Sequence, residues 1–213
     1  MPEIGENNLK YLRNDIGILI SGKEDPIDEG FLDLCRKFNA RYSHYRMPKF
    51  EKREIVPLVY DHTDRTSLLF SGGRVSLATA LWLNEMGKDI ELVYFMDDKK
   101  DSVIELMKQL DLPFTVICEK IPKNHFSGMW MIFKALENAI ESHHAPIIYM
   151  GYFEYALMEN NKLGNWRYCN DFIQTFAEVA KKYIDGVKVL DVMPNYTVVN
   201  DVLLKHPEYQ FIQ

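Results

Sequence analysis

The segment spanning residues 71–76, Ser-Gly-Gly-Arg-Val-Ser, combines residue types that can hold a phosphate group. It follows the apolar run Leu68–Phe70, and a stretch of helical composition starts directly after it. Two successive glycines let the main chain turn sharply and bring bare N–H groups close to an anion. The N-terminus of the following helix adds unpaired N–H donors and the positive end of its dipole, and Ser71 and Ser76 add hydroxyl donors. The segment therefore predicts a phosphate-binding turn.

The elements on either side of this turn predict a βαβ unit. The apolar run before the turn predicts a strand, and residues 76–87 predict a helix that ends at Gly87, a residue suited to the left-handed C′ position. Residues 90–96 predict the next strand, which is followed by Asp97 and Asp98. Strand, glycine turn, helix and strand in this order place a nucleotide-sized anion site at the first turn.

The alternation continues to the end of the sequence. Further helices are predicted over 101–110, 126–143, 170–184 and about 197–205, and further strands over 114–118, 146–151 and 187–190. Helices of ten or more residues between strands favour a parallel sheet that is covered on both faces. We therefore expect an α/β fold, a doubly wound and mostly parallel Rossmann-like sheet of about five strands. Ligands of such sheets bind beyond the carboxyl ends of the strands.

Residues 1–65 are interpreted as an N-terminal elaboration packed on a nucleotide-binding α/β domain that spans 66–213. Within the elaboration, 16–20 and 55–60 predict strands, the second at a sheet edge because of Pro57, and 28–38 predict a short helix. Residues 21–23, Ser-Gly-Lys, also follow a predicted strand, but no long apolar helix begins after them. We interpret them as a charged turn.

Composition excludes several classes of protein. The chain has 213 residues, 47% of them hydrophobic, and a formal net charge of −6, so it predicts a globular protein and gives no electrostatic reason for non-specific nucleic-acid binding. No run of 18 apolar residues and no secretory leader is present, which predicts a cytoplasmic protein that does not enter the membrane. Three widely spaced cysteines form neither a disulfide framework nor a zinc site. The oligomeric state is left open, a homodimer included.

Residues 71–76 resemble the SGGxDS loop of the PP-loop ATP pyrophosphatases, the adenine nucleotide alpha hydrolase-like family that includes 7-cyano-7-deazaguanine synthase. The departure is Val75, which stands where the family pattern has an aspartate on the metal and pyrophosphate side of the site. The four-cysteine zinc site typical of the deazaguanine synthases has no counterpart here. The resemblance implies ATP and Mg²⁺ as cofactors. The nucleotide-binding residues that it implies are Ser71, Gly72, Gly73, Arg74, Ser76, Met96 and Asp97, with Asp97 and Asp98 as candidate metal ligands.

A second resemblance covers residues 150–155 and 166–172, which look like the substrate loop of the deazaguanine synthases. On that reading Glu154 accepts hydrogen bonds from a flat heterocycle, Trp166 stacks on it and Arg167 clamps a phosphate or carboxylate. The alternative is that the aromatic side chains of both segments only cover the sheet. Likewise, residues 97–101 form either part of the nucleotide site or a solvated charged turn that caps the next helix.

The resemblance implies an enzyme that uses ATP to adenylate a small heterocyclic carboxylate, releases pyrophosphate and then forms a C–N bond, as in queuosine biosynthesis. Catalysis of this kind depends on positioning and on charge neutralisation, and no catalytic side chain can be assigned from the sequence. The alternative is a catalytically degenerate member of the family that acts as a nucleotide-binding or structural module. Val75 and the missing zinc cysteines favour the alternative, whereas the Ser-Gly-Gly turn and the aromatic segments favour the enzyme.

Overall fold

The fold alternates strands and helices along most of the chain. The computed structural model describes residues 3–32, 34–36, 47–96, 100–121, 127–151, 170–193 and 195–212. In chain order its elements are α1 (Glu3–Ser21), β1 (Pro26–Asp28), β2 (Lys49–Glu51), β3 (Thr66–Leu69), α2 (Arg74–Glu85), β4 (Ile90–Phe95), α3 (Lys100–Leu110), β5 (Phe114–Ile117), α4 (Ser127–Glu141), β6 (Ile147–Met150), α5 (Asn170–Ala180), β7 (Lys188–Asp191) and α6 (Tyr196–Lys205).

Five of these strands form one parallel sheet in the order β5-β4-β3-β6-β7. β3 lies in the centre and pairs in parallel with β4 on one side and β6 on the other. The chain first builds outward from β3 to β5, then crosses to the other side of β3 and builds outward to β7. The predicted α/β fold with a doubly wound parallel sheet of about five strands is confirmed. Its strand order reverses between β3 and β6, which is the topological switch point of the sheet.

Hydrophobic clusters cover both faces of the sheet. Alternate residues of β4 point to opposite faces, so Leu92 and Tyr94 pack with α2, α3 and α6, whereas Val93 and Phe95 pack with α1, α4 and α5. The sheet is therefore buried on both faces, as the apolar run Leu92–Phe95 in β4 requires.

The first helix corrects one prediction. Residues 16–20 were expected to form a strand because they are rich in β-branched side chains, but they lie inside α1. Leu12, Ile16 and Leu19 are all fully or almost fully buried, and their spacing of four and then three residues is that of one face of a helix. Tertiary packing of this face outweighs the local β propensity.

Two other predictions for the N-terminal region hold only in part. Residues 55–60 do not form a strand. Leu58 makes an isolated parallel bridge to Ile184, and the neighbouring Pro57 has no N–H with which to extend this pairing. Of the helix predicted over 28–38, residues 29–31 form a 3-10 turn capped by the Asp28 side chain, residues 32 and 34–36 are helical, and residues 33, 37 and 38 lie outside the described residues. The apolar residues of α1 share a hydrophobic cluster with α4 and α5, and the predicted domain boundary near residue 65 stays a prediction.

A buried ionic cluster attaches α1 to the rest of the fold. The Asp15 carboxylate is fully buried and accepts hydrogen bonds from Arg53 Nη1 at 2.9 Å, from Tyr183 Oη at 3.0 Å and from the Asp28 N–H at 3.2 Å. Asp15 and its three partners come from four separate parts of the chain, so the cluster specifies how these parts meet. Burial raises the pKa of Asp15, and the hydrogen bonds from Arg53 and the other donors oppose that rise only in part.

The raised pKa of Asp15 predicts how stability depends on pH. The folded protein binds this proton more tightly than the unfolded chain, so the contribution of Asp15 to stability is complete below its ordinary pKa of 3.8 and is lost as the pH rises through the folded-state value. We expect the unfolding free energy of the wild type, relative to Asp15→Asn, to fall over this window in urea titrations and then to level off.

The matched control is Glu51→Gln, which removes the exposed carboxylate that Arg53 also contacts, at 2.9 Å. If the wild type instead gains stability relative to Asp15→Asn as the pH rises, the ion pair with Arg53 outweighs the desolvation of Asp15, and the argument from burial is wrong.

Candidate functional site

A pocket of about 510 Å³ opens at the carboxyl ends of the central strands. It lies at the switch point of the sheet, where ligands of doubly wound folds bind. Residues from the ends of β3, β4 and β6, from the turn after β3 and the first turn of α2, from the segment after β5, from α4 and from the start of α6 surround it. They are Leu69, Phe70, Ser71, Gly73, Arg74, Val75, Ser76, Val93, Tyr94, Phe95, Ile121, Met131, Met150, Gly151 and Tyr196.

The turn from β3 into α2 depends on its first glycine. Gly72 has a φ of +71°, in the left-handed region that favours glycine, and a Cβ there would lie 3.1 Å from Ile212 Cδ1. Gly73 has an extended conformation and is the N-cap of α2. The helix begins at Arg74, two residues before the predicted start, so the turn is tighter than the sequence indicated.

The two serine hydroxyls shape this turn from within. Ser76 Oγ donates to the Gly73 carbonyl at 3.0 Å and lies 3.1 Å from Ser71 Oγ, which in turn accepts from the Gly73 N–H at 3.3 Å. The Ser71 N–H also donates to Ser76 Oγ, at 3.3 Å. Both hydroxyls were expected to face an anion. In the structure they make hydrogen bonds inside the turn, which therefore holds its shape without a ligand.

The anion donors that the structure presents are main-chain groups of α2. No side chain caps the N-terminus of α2. The first hydrogen bond of this helix runs from the Leu77 N–H to the carbonyl of the N-cap residue, Gly73, at 3.0 Å. The N–H groups of residues 74–76 precede that bond, so the helix itself supplies no acceptor for them. These residues line the pocket. The first turn of α2 thus brings to the pocket N–H donors for which the described residues show no acceptor, together with the positive end of a helix dipole.

Gly151, at the end of β6, lets the opposite wall of the pocket approach α2 closely. A Cβ at this position would overlap Thr79 Oγ1 and would lie 3.1 Å from Val75 Cγ1 and 3.3 Å from the Val75 carbonyl oxygen. Thr79 is fully buried and donates to that same carbonyl at 2.8 Å. β6 and α2 therefore meet with no room for a side chain between them.

The side chains of Arg74 and Val75 differ in where they point. The Arg74 guanidinium donates to Asn200 Oδ1 on α6 and lies 5.7 Å from the centre of the Phe211 ring, so contacts outside the turn hold it. Val75 is half-buried and lines the pocket beside Gly151. The position where the resembling family has its metal-binding aspartate thus faces the pocket, and here it carries an aliphatic side chain.

The other predicted site residues are placed only in part. Met96 follows β4, its N–H donates to the Ile117 carbonyl at 3.0 Å, and it is not among the residues that line the pocket. Five predicted site residues, two after β4 and three in the predicted substrate loop, lie outside the described residues, so their roles stay predictions. They are Asp97, Asp98, Glu154, Trp166 and Arg167.

The described part of the pocket does not fit Mg²⁺. Its lining contains no carboxylate, and the described residues as a whole contain no group of three side chains that could hold a metal ion. Glu119, which follows β5 at the same edge of the sheet, forms an ion pair with the buried Lys134 at 2.6 Å. Mg²⁺ prefers carboxylate and phosphate oxygens, and the described lining offers it no carboxylate.

Sequence analysis missed the contribution of the last part of the chain. Tyr196 lines the pocket from the start of α6, and the Ile212 N–H donates to the Gly72 carbonyl at 2.8 Å. Both residues are more than a hundred positions away from the turn, and neither belongs to a recognisable motif. No signal in the sequence indicated these contacts.

No protein-family model matches the chain, and a search of curated proteins found no relative. Among solved structures, the chain is similar to one described as a predicted subunit of tRNA methyltransferase from Methanocaldococcus jannaschii, with 17% sequence identity and a TM-score of 0.42. The match covers 66% of this chain and 74% of the other. At this level of similarity, function has to be argued from the residues of the chain itself.

None of the described helices is both long and apolar enough to cross a membrane.

The contact between β6 and α2 predicts a strong effect of a single methyl group. We expect Gly151→Ala to lower the unfolding free energy by about 1–3 kcal/mol, because the new Cβ has to displace Thr79 or Val75. Adding Thr79→Ala should recover part of this loss, which a double-mutant cycle in urea would measure.

Gly17 provides the control, because it lies in α1 and a Cβ added there would meet no atom within 4 Å. Gly17→Ala should raise stability by about 0.4–1 kcal/mol. If Gly151→Ala is as stable as the wild type, β6 and α2 can move apart at little cost, and their close approach does not limit the side chain at position 151.

Proposed function

We propose that this protein binds an adenine nucleotide in the pocket at the carboxyl edge of the sheet, with a phosphate group against residues 71–76. The observation that carries this proposal is the uncapped N-terminus of α2, which opens onto the pocket at the switch point of the sheet. Phosphate oxygens would accept from the free N–H groups of the first helical turn.

The rest of the pocket suits the base and sugar of a nucleotide. Its volume lies within the range of about 300–1,000 Å³ that is typical of small-molecule sites. Its lining is mainly aliphatic and aromatic, and the exposed Tyr196, at the start of α6, would contact a flat ring. The choice of adenine, and of ATP as the nucleotide, comes from the resemblance of residues 71–76 to the PP-loop family.

The same resemblance supports a more specific function, an ATP-dependent ligase that activates a small heterocyclic carboxylate, similar to the deazaguanine synthases. Glu154, Trp166 and Arg167 are its proposed substrate contacts. One observation favours the second candidate, a nucleotide-binding module without turnover. Val75 lines the pocket where the family has a carboxylate, and an aliphatic side chain cannot bind a metal ion.

Calorimetric titration with ATP and with AMP, each with and without Mg²⁺, tests the nucleotide site. We expect Gly73→Asp to weaken binding of both nucleotides at least about tenfold, which is about 1.4 kcal/mol, because it places a carboxylate beside the phosphate donors. Gly73 has a negative φ. A Cβ there would lie 3.3 Å from Ser71 Oγ, a tight contact that a small shift of this exposed serine side chain relieves, so the variant is expected to fold.

Gly22→Asp is the matched control. Gly22 belongs to the other Ser-Gly turn of the chain and has open space around it. Its φ of +65° strains most side chains, but Asp is among the residues that adopt this conformation, so Gly22→Asp should fold and leave binding unchanged. If the wild type binds neither nucleotide, the proposal is wrong. Equal losses in the two variants would also count against it, because they would reflect the added charge rather than the position.

Pyrophosphate release separates the two candidate functions. If the protein is a module without turnover, the wild type should release no pyrophosphate from ATP in the presence of Mg²⁺ and candidate heterocyclic carboxylates. Val75→Asp should make ATP binding depend on Mg²⁺, because it restores a carboxylate on the pocket side of α2. Val75→Asn is the control of similar size without the charge. Release by the wild type would instead support the ligase and would show that Val75 does not prevent the reaction.

A further inference from the structure

The segment 206–212 folds back along α2 and ends at the predicted phosphate-binding turn. His206 Nε2 lies 2.9 Å from Glu85 Oε1 at the far end of α2, and the Ile212 N–H donates to the Gly72 carbonyl at 2.8 Å. Residues 207 and 208 form a turn, which the hydrogen bond from the Tyr209 N–H to the His206 carbonyl closes at 3.2 Å, and residues 209–212 continue from it to the turn after β3.

The hydrogen bond from Ile212 has a consequence for the peptide between the two glycines. A trans peptide is planar, and its C=O and N–H point in opposite directions. The carbonyl of Gly72 points to Ile212, so the N–H of Gly73 points the other way, towards Ser71 Oγ at 3.3 Å. Ser71 and Gly73 line the pocket, whereas Ile212 lies on the side of α3, where it lines a small cavity. The N–H group therefore faces the pocket side of the turn.

Two glycines alone do not hold that orientation. Glycine adopts positive and negative φ with similar ease, so the peptide between Gly72 and Gly73 can rotate at little steric cost. Rotation by half a turn would point the Gly72 carbonyl, an acceptor with partial negative charge, at the position where a phosphate would bind. The hydrogen bond from Ile212 opposes this rotation from outside the pocket. The Ile212 side chain adds to it, because Cδ1 packs against the position that a Cβ of Gly72 would occupy.

We propose that the main-chain N–H of Ile212 is a positioning group for the anion site: it keeps the Gly72–Gly73 peptide turned so that its N–H, not its carbonyl, faces the phosphate. This inference rests on the proposed nucleotide-binding function. The segment 206–212 and the nucleotide are then thermodynamically coupled, since each favours the same orientation of one peptide.

Two proline variants and one alanine variant test the inference by calorimetry with ATP and AMP. Ile212→Pro removes the N–H, and we expect it to weaken binding about tenfold, equivalent to about 1.4 kcal/mol. Ile212→Ala keeps the N–H and should lose much less. Gln210→Pro places proline in the same segment at a residue for which the described contacts show no main-chain hydrogen bond, and it should bind like the wild type.

A structural role alone would not produce the same pattern. We expect the unfolding free energies of Ile212→Pro and Ile212→Ala to be similar while their affinities differ. We also expect a bound nucleotide to slow hydrogen exchange at the Ile212 amide of the wild type, measured by NMR, because coupling is reciprocal.

Each outcome decides the matter. If the wild type binds nucleotide and Ile212→Pro binds equally well, or no worse than Ile212→Ala or Gln210→Pro, the inference is wrong while the proposed function stands. If the wild type binds neither ATP nor AMP, the proposed function fails and the inference fails with it.

Discussion

The parallel pairing of β3 with a strand on each side is the constraint on which the rest of the structure depends. Because the chain starts the sheet at its centre, the connections after β3 and β6 leave from neighbouring strands. They lead to α2 and α5, whose side chains belong to the hydrophobic clusters on opposite faces of the sheet. Diverging connections open a crevice at the carboxyl edge. The approach of Gly151 to Thr79 closes the floor of that crevice, so the pocket has a defined depth rather than being a gap between helices.

Polar groups at the two edges of the sheet have different roles. At the amino edge, the buried Glu91 carboxylate accepts from Thr115 Oγ1 at 2.7 Å and from Asn138 Nδ2 at 2.9 Å, and His144 Nδ1 lies 3.3 Å from it. These partners satisfy the carboxylate and tie β4 to β5 and to the end of α4. At the carboxyl edge, the N–H groups at the start of α2 have no partner within their helix. Among the described residues, these open donors lie beside the pocket.

The shape of the turn after β3 depends on parts of the chain that are far apart in sequence. The Phe70 N–H donates to the Val93 carbonyl at 2.9 Å, which anchors the start of the turn to β4. The hydroxyls of Ser71 and Ser76 support it from inside, and Ile212 contacts it from outside. A glycine pair has little conformational preference of its own, so these three supports decide which way its main-chain groups point, and two of them come from distant parts of the chain.

The sequence by itself determined the class of fold and the place of the turn. Apolar runs of strand length alternate with helical segments, and glycine at position 72 marks the one residue of the turn with a positive φ, so the sheet and the β3–α2 unit followed from local patterns. Only the tertiary structure decided that residues 16–20 are helical, because their burial against α4 and α5 is a long-range property. It also decided that Arg74 turns to Asn200 and that Val75 faces the pocket. The direction of a side chain at the start of a helix depends on what packs beside it. Here the neighbours are β6, α6 and the segment 206–212. The sequence near residue 74 does not specify where these neighbours lie.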